Sequence, residues 1–168
     1  DDLADFMQDL PKTLTGEILR SMDNQNRQRL ESVLAFPEDS AGGLMNTDTV
    51  TVRPDVSLDV VLRYLRMRGE MPELTDHLFV VSRFDHFLGV LRVSDLLTRD
   101  PSGQVDDLLD TRAVAIAADT PAREVAKMFE DRDLISAPVL DERGRLIGRI
   151  TIDDVVDVIR EEAERSIL

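Results

Sequence analysis

Six acidic side chains stand along the end of the chain, in the string IDDVVDVIREEAERS, and five of them matter first: Asp153, Asp154, Asp157, Glu161 and Glu164. Wound as an α-helix, they fall within an arc of about 100°, whereas Val155, Val156 and Ile159 point elsewhere. A carboxylate stripe of this kind suits a hard divalent cation. Magnesium takes oxygen ligands in an octahedron, dehydrates reluctantly, and commonly uses one or two carboxylates while keeping several waters. Two such acidic surfaces repel, because unit charges about 5 Å apart cost on the order of 3 kcal/mol at an effective dielectric near 20. A divalent ion between them reverses the sign of the interaction. The plainer readings are a solvated helix face for Asp157, Glu161 and Glu162, and for Asp154, at the helix start, a cap for backbone N–H groups.

The segment that introduces these acids occurs twice. LIGRITIDDVV at 146–156 is a near copy of FLGVLRVSDLL at 87–97, so that Gly89 matches Gly148 and Asp95 matches Asp154. Upstream, AVAIAADTPAREVAKMFEDR copies TVTVRPDVSLDVVLRYLRMR, with Asp55 matching Asp119 and Val61 matching Val125. The first pair of segments is offset by 64 positions and the second by 59, which places five extra residues in the first copy, in the GEMPELT stretch.

Within each copy the order is strand, helix, strand, strand, helix. TVTV is strand-like and RPDV a turn, and Ser57 caps a helix whose apolar face is Leu58, Val61, Leu62 and Leu65. HLFVV and FLGVLRV form a hairpin across the polar SRFDH, and Ser94 or Asp95 starts a second, short helix. Such a unit is too small to cover both faces of its sheet, so the copies are expected to pack together around a pseudo-twofold cleft suited to a ligand. Residues 3–36 read as short helices, with Asp23 or Asn24 as a cap, Leu30, Val33 and Leu34 at helical spacing, and Pro37 as the stop. PEDSAGGLM reads as an irregular, hinge-like connector, because adjacent glycines disfavour helix and strand alike.

Composition narrows the partners. With 34 acids against 20 bases, a formal charge of −14, the chain is a poor ligand for nucleic acid, which demands clustered Lys and Arg. The absence of Cys removes disulfides, thiolate metal sites and a Cys nucleophile, and suits a reducing compartment. No run approaches the roughly 18 apolar residues of a membrane span. His77 and His86 have no metal-ligand spacing, no grouping of nucleophile and base emerges, and the methionines read as packing residues. The acidic helical text at both ends and the lack of an initiator Met suggest a piece of a longer protein.

The repeated strand–helix order, with Gly-x-x-x-x-x-Asp at Gly89–Asp95 and again at Gly148–Asp154, resembles a cystathionine-β-synthase (CBS) domain pair over about residues 45–165. With EDSAGGLM before the first copy, DDLADF earlier still and DDVVDVIREEAE leading out, the chain looks like the cytosolic part of MgtE-type magnesium channels. That resemblance implies an α+β tandem CBS domain pair, two β-α-β-β-α repeats preceded by a short α-helical segment. Residues 1–44 would be the C-terminal part of a helical N domain and a connector, 45–110 and 111–156 the repeats, and 157–168 the start of an acidic connecting helix. It implies a non-enzymatic, homodimeric Mg²⁺ sensor on the cytoplasmic face of the membrane, joined to a transmembrane pore domain of its parent chain. Asp1, Asp133, Asp154, Asp157 and Glu162 match metal-binding acids of the family, and Glu161 joins them from the helical arc. Arg123 and Arg165 stand where relatives can carry acids, which implies fewer or weaker ion sites. The alternative is an adenine-nucleotide-sensing CBS pair, holding ATP or a related nucleotide through Asp95 with Ser94 and Arg92, or through Asp154 with Thr151, with His77 at the stacking position.

Overall fold

The computed structural model describes residues 36–167, so the expected helices before Phe36, with their caps and apolar positions, lie outside the described residues. The elements in chain order are α1 (Ala41–Leu44), β1 (Thr51–Val52), α2 (Leu58–Arg68), β2 (His77–Val81), β3 (Phe87–Arg92), α3 (Val93–Thr98), a 3₁₀ turn (Val105–Leu108), β4 (Ile116–Ala117), α4 (Ala122–Arg132), β5 (Ser136–Leu140), β6 (Leu146–Thr151) and α5 (Ile152–Ile167). They form two compact units, one containing residues 49–113 and the other residues 36–48 and 114–167 among those described.

In the first unit β1 lies parallel to β2 and β2 antiparallel to β3. Ser57 caps α2 as expected, its side chain accepting the Val60 N–H at 3.3 Å. Leu58, Val61 and Tyr64 are buried, while Leu62 and Leu65 pack at the edge of the same core with Val52, Leu78, Val80 and Leu91. Burying side chains of this size stabilises by about 1.5–3 kcal/mol each before chain entropy is counted. The unforeseen 3₁₀ turn adds Val105 to that core.

The second unit repeats the plan: β4 is parallel to β5 and β5 antiparallel to β6. The repeat reaches the detail of register. Val80 faces Gly89 and Val139 faces Gly148, each just before an irregularity in the ladder. The five extra residues fall where expected. Residues 69–76 connect α2 to β2, whereas only residues 133–135 connect α4 to β5.

Two local expectations are corrected. AGGLM is not irregular, because residues 41–44 form a helical turn closed by Ser40, whose side chain accepts the Gly43 N–H at 3.3 Å. Its glycines allow close approach: a Cβ would clash with the Phe36 ring at Gly42 and with the Pro37 carbonyl oxygen at Gly43. Neither Ser94 nor Asp95 begins α3. The strand runs directly into the helix with Arg92 at the cap position and no side-chain cap, and the Val93 N–H is instead satisfied by the Asp76 carbonyl at 3.2 Å. The same solution recurs at α5, where the Ile152 N–H donates to the Ile135 carbonyl at 2.9 Å.

The outer edge of each third strand receives one backbone pairing. Asp110 and Val90 exchange both hydrogen bonds at 2.9 Å, and Asn46 and Arg149 do the same. The residue that caps the edge of each sheet therefore comes from the segment just before the other repeat. Residues 45–48, at the head of the span expected for the first repeat, thus belong to the second compact unit.

Candidate functional site

The acids of the last helix open onto a groove of about 880 Å³ in the second unit. Three segments build it: the residues around α1, the start of α4, and one face of α5. Backbone bonds hold the first two together, with the Ala41 N–H on the Thr120 carbonyl and the Ala122 N–H on the Asp39 carbonyl, both at 2.8 Å. Contacts between α4 and α5 bring in the third, and Val155 and Val158 turn their apolar side into the core. Helical periodicity thus commits the valines inward and leaves Asp157 and Glu161 exposed.

Of the sequence-derived acids, Asp154, Asp157, Glu161 and Glu162 line this groove together. Glu38 and Asp39 line it too, and the sequence reading missed them. They were visible only as two acids in a proline-flanked connector, and what makes them relevant is a pairing with a segment some eighty residues later. Arg123 and Arg165 are on the same wall, and Arg165 Nη1 lies 3.6 Å from Glu162 Oε1. The carboxylates are spread out: among the described residues, no three acidic or histidine side chains are grouped closely enough to cage an ion. Ions held here would keep most of their water or borrow oxygens from another surface, as hydrated Mg²⁺ does.

Asp154 is the third residue of α5, and it reaches back. Its Oδ2 accepts from the Thr151 hydroxyl at 3.0 Å and from the Thr151 N–H at 3.4 Å, the acid-to-backbone half of a capping box across the helix start. The Thr151 hydroxyl is also within hydrogen-bond reach of the Asp153 carboxylate. One edge of Asp154 is therefore occupied by the helix start, while the residue still borders the groove. Asp133 is elsewhere: it closes the opposite end of α4 in a left-handed conformation (φ 51°, ψ 45°) and is not part of the groove wall. Asp1 lies outside the described residues.

The nucleotide candidates divide between the units. His77 and Arg92 face each other across the β2–β3 ladder, and Ser94 and Asp95 follow in the first turn of α3, so these four share one end of the first sheet. His77 Nδ1 is 3.1 Å from Asp76 Oδ2, its ring meets Phe79 edge-on at 5.3 Å, and its Nε2 is buried without a hydrogen-bond partner. Arg92 pairs with Asp110 at 3.3 Å and Asp95 with Arg99 at 3.6 Å. The Asp110 carboxyl is held below its ordinary range by the Arg112 backbone N–H, with Arg92 and Arg112 contributing against a partial-burial effect of opposite sign. Thr151 occupies the position equivalent to Arg92 in the second unit, opposite Ser136.

Two three-stranded sheets of identical register, each with its glycine opposite a buried valine and each followed at once by a helix, define a duplicated β-α-β-β-α regulatory fold of the α+β class. The CBS domain family model matches residues 41–101 and 105–161, and the MgtE intracellular N domain matches residues 1–39. The chain belongs to the CBS domain family and has the MgtE-type arrangement, part of an N domain followed by a CBS pair. It is 36% identical over 170 residues to the magnesium transporter MgtE of Thermus thermophilus, covering 99% of this chain and 38% of that relative. It therefore spans well under half the length of that protein. Among solved structures, it is similar to the cytosolic domain of the Mg²⁺ channel MgtE in complex with ATP, with a TM-score of 0.71 and 37% identity over 79% of this chain and 53% of the other. The CBS pair domain of a putative Mg²⁺ transporter from Shewanella oneidensis matches with a TM-score of 0.71 and 27% identity over 96% of this chain and 94% of that one. Among the described residues, no helix is long and apolar enough to cross a membrane.

Proposed function

We propose that this chain is the Mg²⁺-sensing regulatory module on the cytosolic side of a magnesium transporter or channel. Divalent cations bridge its acidic surfaces and favour a compact, closed state. The observation that carries this reading is the groove in which Glu38, Asp39, Asp154, Asp157, Glu161 and Glu162 come together from separate segments, in a chain similar throughout to MgtE. The six carboxylates face two guanidiniums, a formal local charge of −4. In ion-free solution that excess repels any further acidic surface, and a bound divalent ion relieves it. Asp1, from the N-terminal segment, is the natural contributor of a second acidic surface, and Asp133 would bind an ion away from the groove. The module acts by changing population rather than by chemistry on a substrate. Its partners are a second copy of itself, to which the exposed Leu97 on α3 (71% accessible) offers apolar surface, and a pore domain of the same parent protein.

Millimolar MgCl₂ is expected to raise the melting temperature of the chain above that in NaCl of matched ionic strength, since a ligand selective for the folded state stabilises it by mass action. Asp157→Asn and Asp154→Asn should each shrink that gain. A wild-type melting temperature indifferent to Mg²⁺ would remove the reading.

A second reading is supported by the convergence of His77, Arg92, Ser94 and Asp95 at one end of the first sheet. Here the chain senses an adenine nucleotide, and the ATP bound to the related cytosolic domain is consistent with that chemistry. Calorimetric titration with ATP and with AMP, each with and without Mg²⁺, separates the two: heat from nucleotide with no response to the free ion favours the second.

A further inference from the structure

We infer that Arg123 and Arg165 are tethered counter-ions of the acidic groove, and that they set the Mg²⁺ concentration at which the module responds. The inference rests on the cation-sensing reading and adds its regulation. Arg165 sits one turn beyond Glu162 on α5, and its guanidinium reaches back to that carboxylate at 3.6 Å while remaining 73% exposed. Arg123 projects from the first turn of α4, where the helix dipole disfavours a cation, yet it lines the same groove and makes no ion pair among the described residues. Neither arginine is needed to hold the fold: both are exposed, and neither contributes to the core beneath them.

A guanidinium and a hydrated divalent ion compete for the same carboxylate oxygens. The guanidinium carries one charge and arrives attached to the protein, so it is always present at a high local concentration. A Mg²⁺ ion carries two charges and must come from solution. At low Mg²⁺ the arginines therefore partly neutralise the acids and limit the repulsion that would open the module. As Mg²⁺ rises, it must displace or outbid them, which moves the response to higher concentration. Two effects of opposite sign follow from removing an arginine: the ion-free protein loses stability, and the Mg²⁺ midpoint falls.

The test is thermal melting of the whole chain across a MgCl₂ series at constant ionic strength, for wild type, Arg123→Gln, Arg165→Gln and the double variant. Arg165→Lys keeps the charge, and Arg99→Gln removes an arginine paired with Asp95 in the other unit. An exposed ion pair of this kind predicts a midpoint lowered about twofold to fivefold for Arg165→Gln, and the unpaired charge of Arg123 a smaller shift in the same direction. Melting in EDTA should be lower for the Gln variants, and the curves should converge with wild type at saturating Mg²⁺. Arg165→Lys and Arg99→Gln should leave the midpoint near that of wild type. A wild-type response to Mg²⁺ with an unchanged or raised midpoint in the double variant overturns this inference and leaves the sensing reading standing. No Mg²⁺ response in any of the proteins overturns both.

Discussion

The two repeats meet the same backbone demands with different side chains. Two positive-φ residues in each occupy matching places, one after the long helix and one in the hairpin turn, while the first repeat adds Leu74 and Gly89. In the first repeat the helix is closed by Gly69 (φ 74°) and the turn holds Asp85 (φ 69°); in the second the helix is closed by Asp133 (φ 51°) and the turn holds Gly144 (φ 78°). Glycine and aspartate exchange places because each enters the left-handed region at a tolerable cost, and the fold asks only for that. The turns themselves are tied differently. Ser82 Oγ accepts the N–H groups of Phe84 and His86 at 3.2 Å in one, and Asp141 Oδ1 accepts those of Arg143 and Arg145 at 2.9 Å in the other. One feature does not vary. Gly89 and Gly148 both sit where a neighbouring chain segment crosses the strand edge, and no side chain fits there.

The largest expected effect lies at that shared point. A Cβ on Gly89, at φ 157°, would strike the Asp110 carbonyl oxygen, backbone held by the paired hydrogen bonds of Asp110 with Val90; on Gly148 it would meet Met45 Sδ at 2.6 Å and, less closely, the Asn46 carbonyl oxygen at 2.8 Å, which the matching pair with Arg149 holds. Gly89→Ala should destabilise by about 3 kcal/mol and Gly148→Ala by about 1–2 kcal/mol, since the methionine can partly yield. Urea melts measure both, and equal losses would show that the methionine side chain does not yield.

A smaller effect, of opposite sign, is expected at the helix end. Asp133→Gly should stabilise by about 0.5–1 kcal/mol by removing left-handed strain, making the second helix end like the first. A loss of stability on the same urea assay would show that the Asp133 side chain contributes more than its backbone conformation costs.

The smallest concerns acid. Burial alone would raise the Asp141 carboxyl, but the backbone N–H groups of Arg145 and Arg143, then the Arg145 guanidinium 2.8 Å away, more than offset this and hold it below the ordinary 3.8. A depressed carboxyl contributes its stability above the unfolded value, and that contribution is lost as pH falls through the lower, folded value. The melting-temperature advantage of wild type over Asp141→Asn should therefore be steady above about pH 5 and shrink below about pH 4. Ser82→Ala, at the matching position, should show a loss independent of pH over that window, because a hydroxyl does not titrate there. An Asp141→Asn difference equally flat with pH would mean that the charge plays no part in the turn.

Much of the fold was legible because it depends on local rules. Ser57 before an apolar 3.6 pattern, the polar break in the hairpin and the length difference at GEMPELT each express constraints that act within a few residues. The failures have a physical pattern as well. AGGLM looked like a breaker because glycine costs about 1 kcal/mol in an isolated helix, but the tight approach of Phe36 and Pro37 makes glycine the residue that fits. Ser94 and Asp95 looked like caps because the sequence does not reveal that the Asp76 carbonyl already serves the first helical N–H. Glu38 and Asp39 escaped notice as site residues because only the pairing of Ser40 with Pro121 carries them beside α5.

The amino-acid sequence by itself determined the duplication, the strand and helix order within each copy, and the acidic face of the last helix. These follow from periodicity, capping chemistry and charge, which are properties of neighbours along the chain. Only the tertiary structure decided that the residues before each repeat close the sheet edge of the other, and that acids from the connector and the last helix share one groove with two arginines. Those juxtapositions depend on which unpaired backbone edges and apolar faces find each other across long stretches of chain, and spacing in the sequence carries no record of that choice.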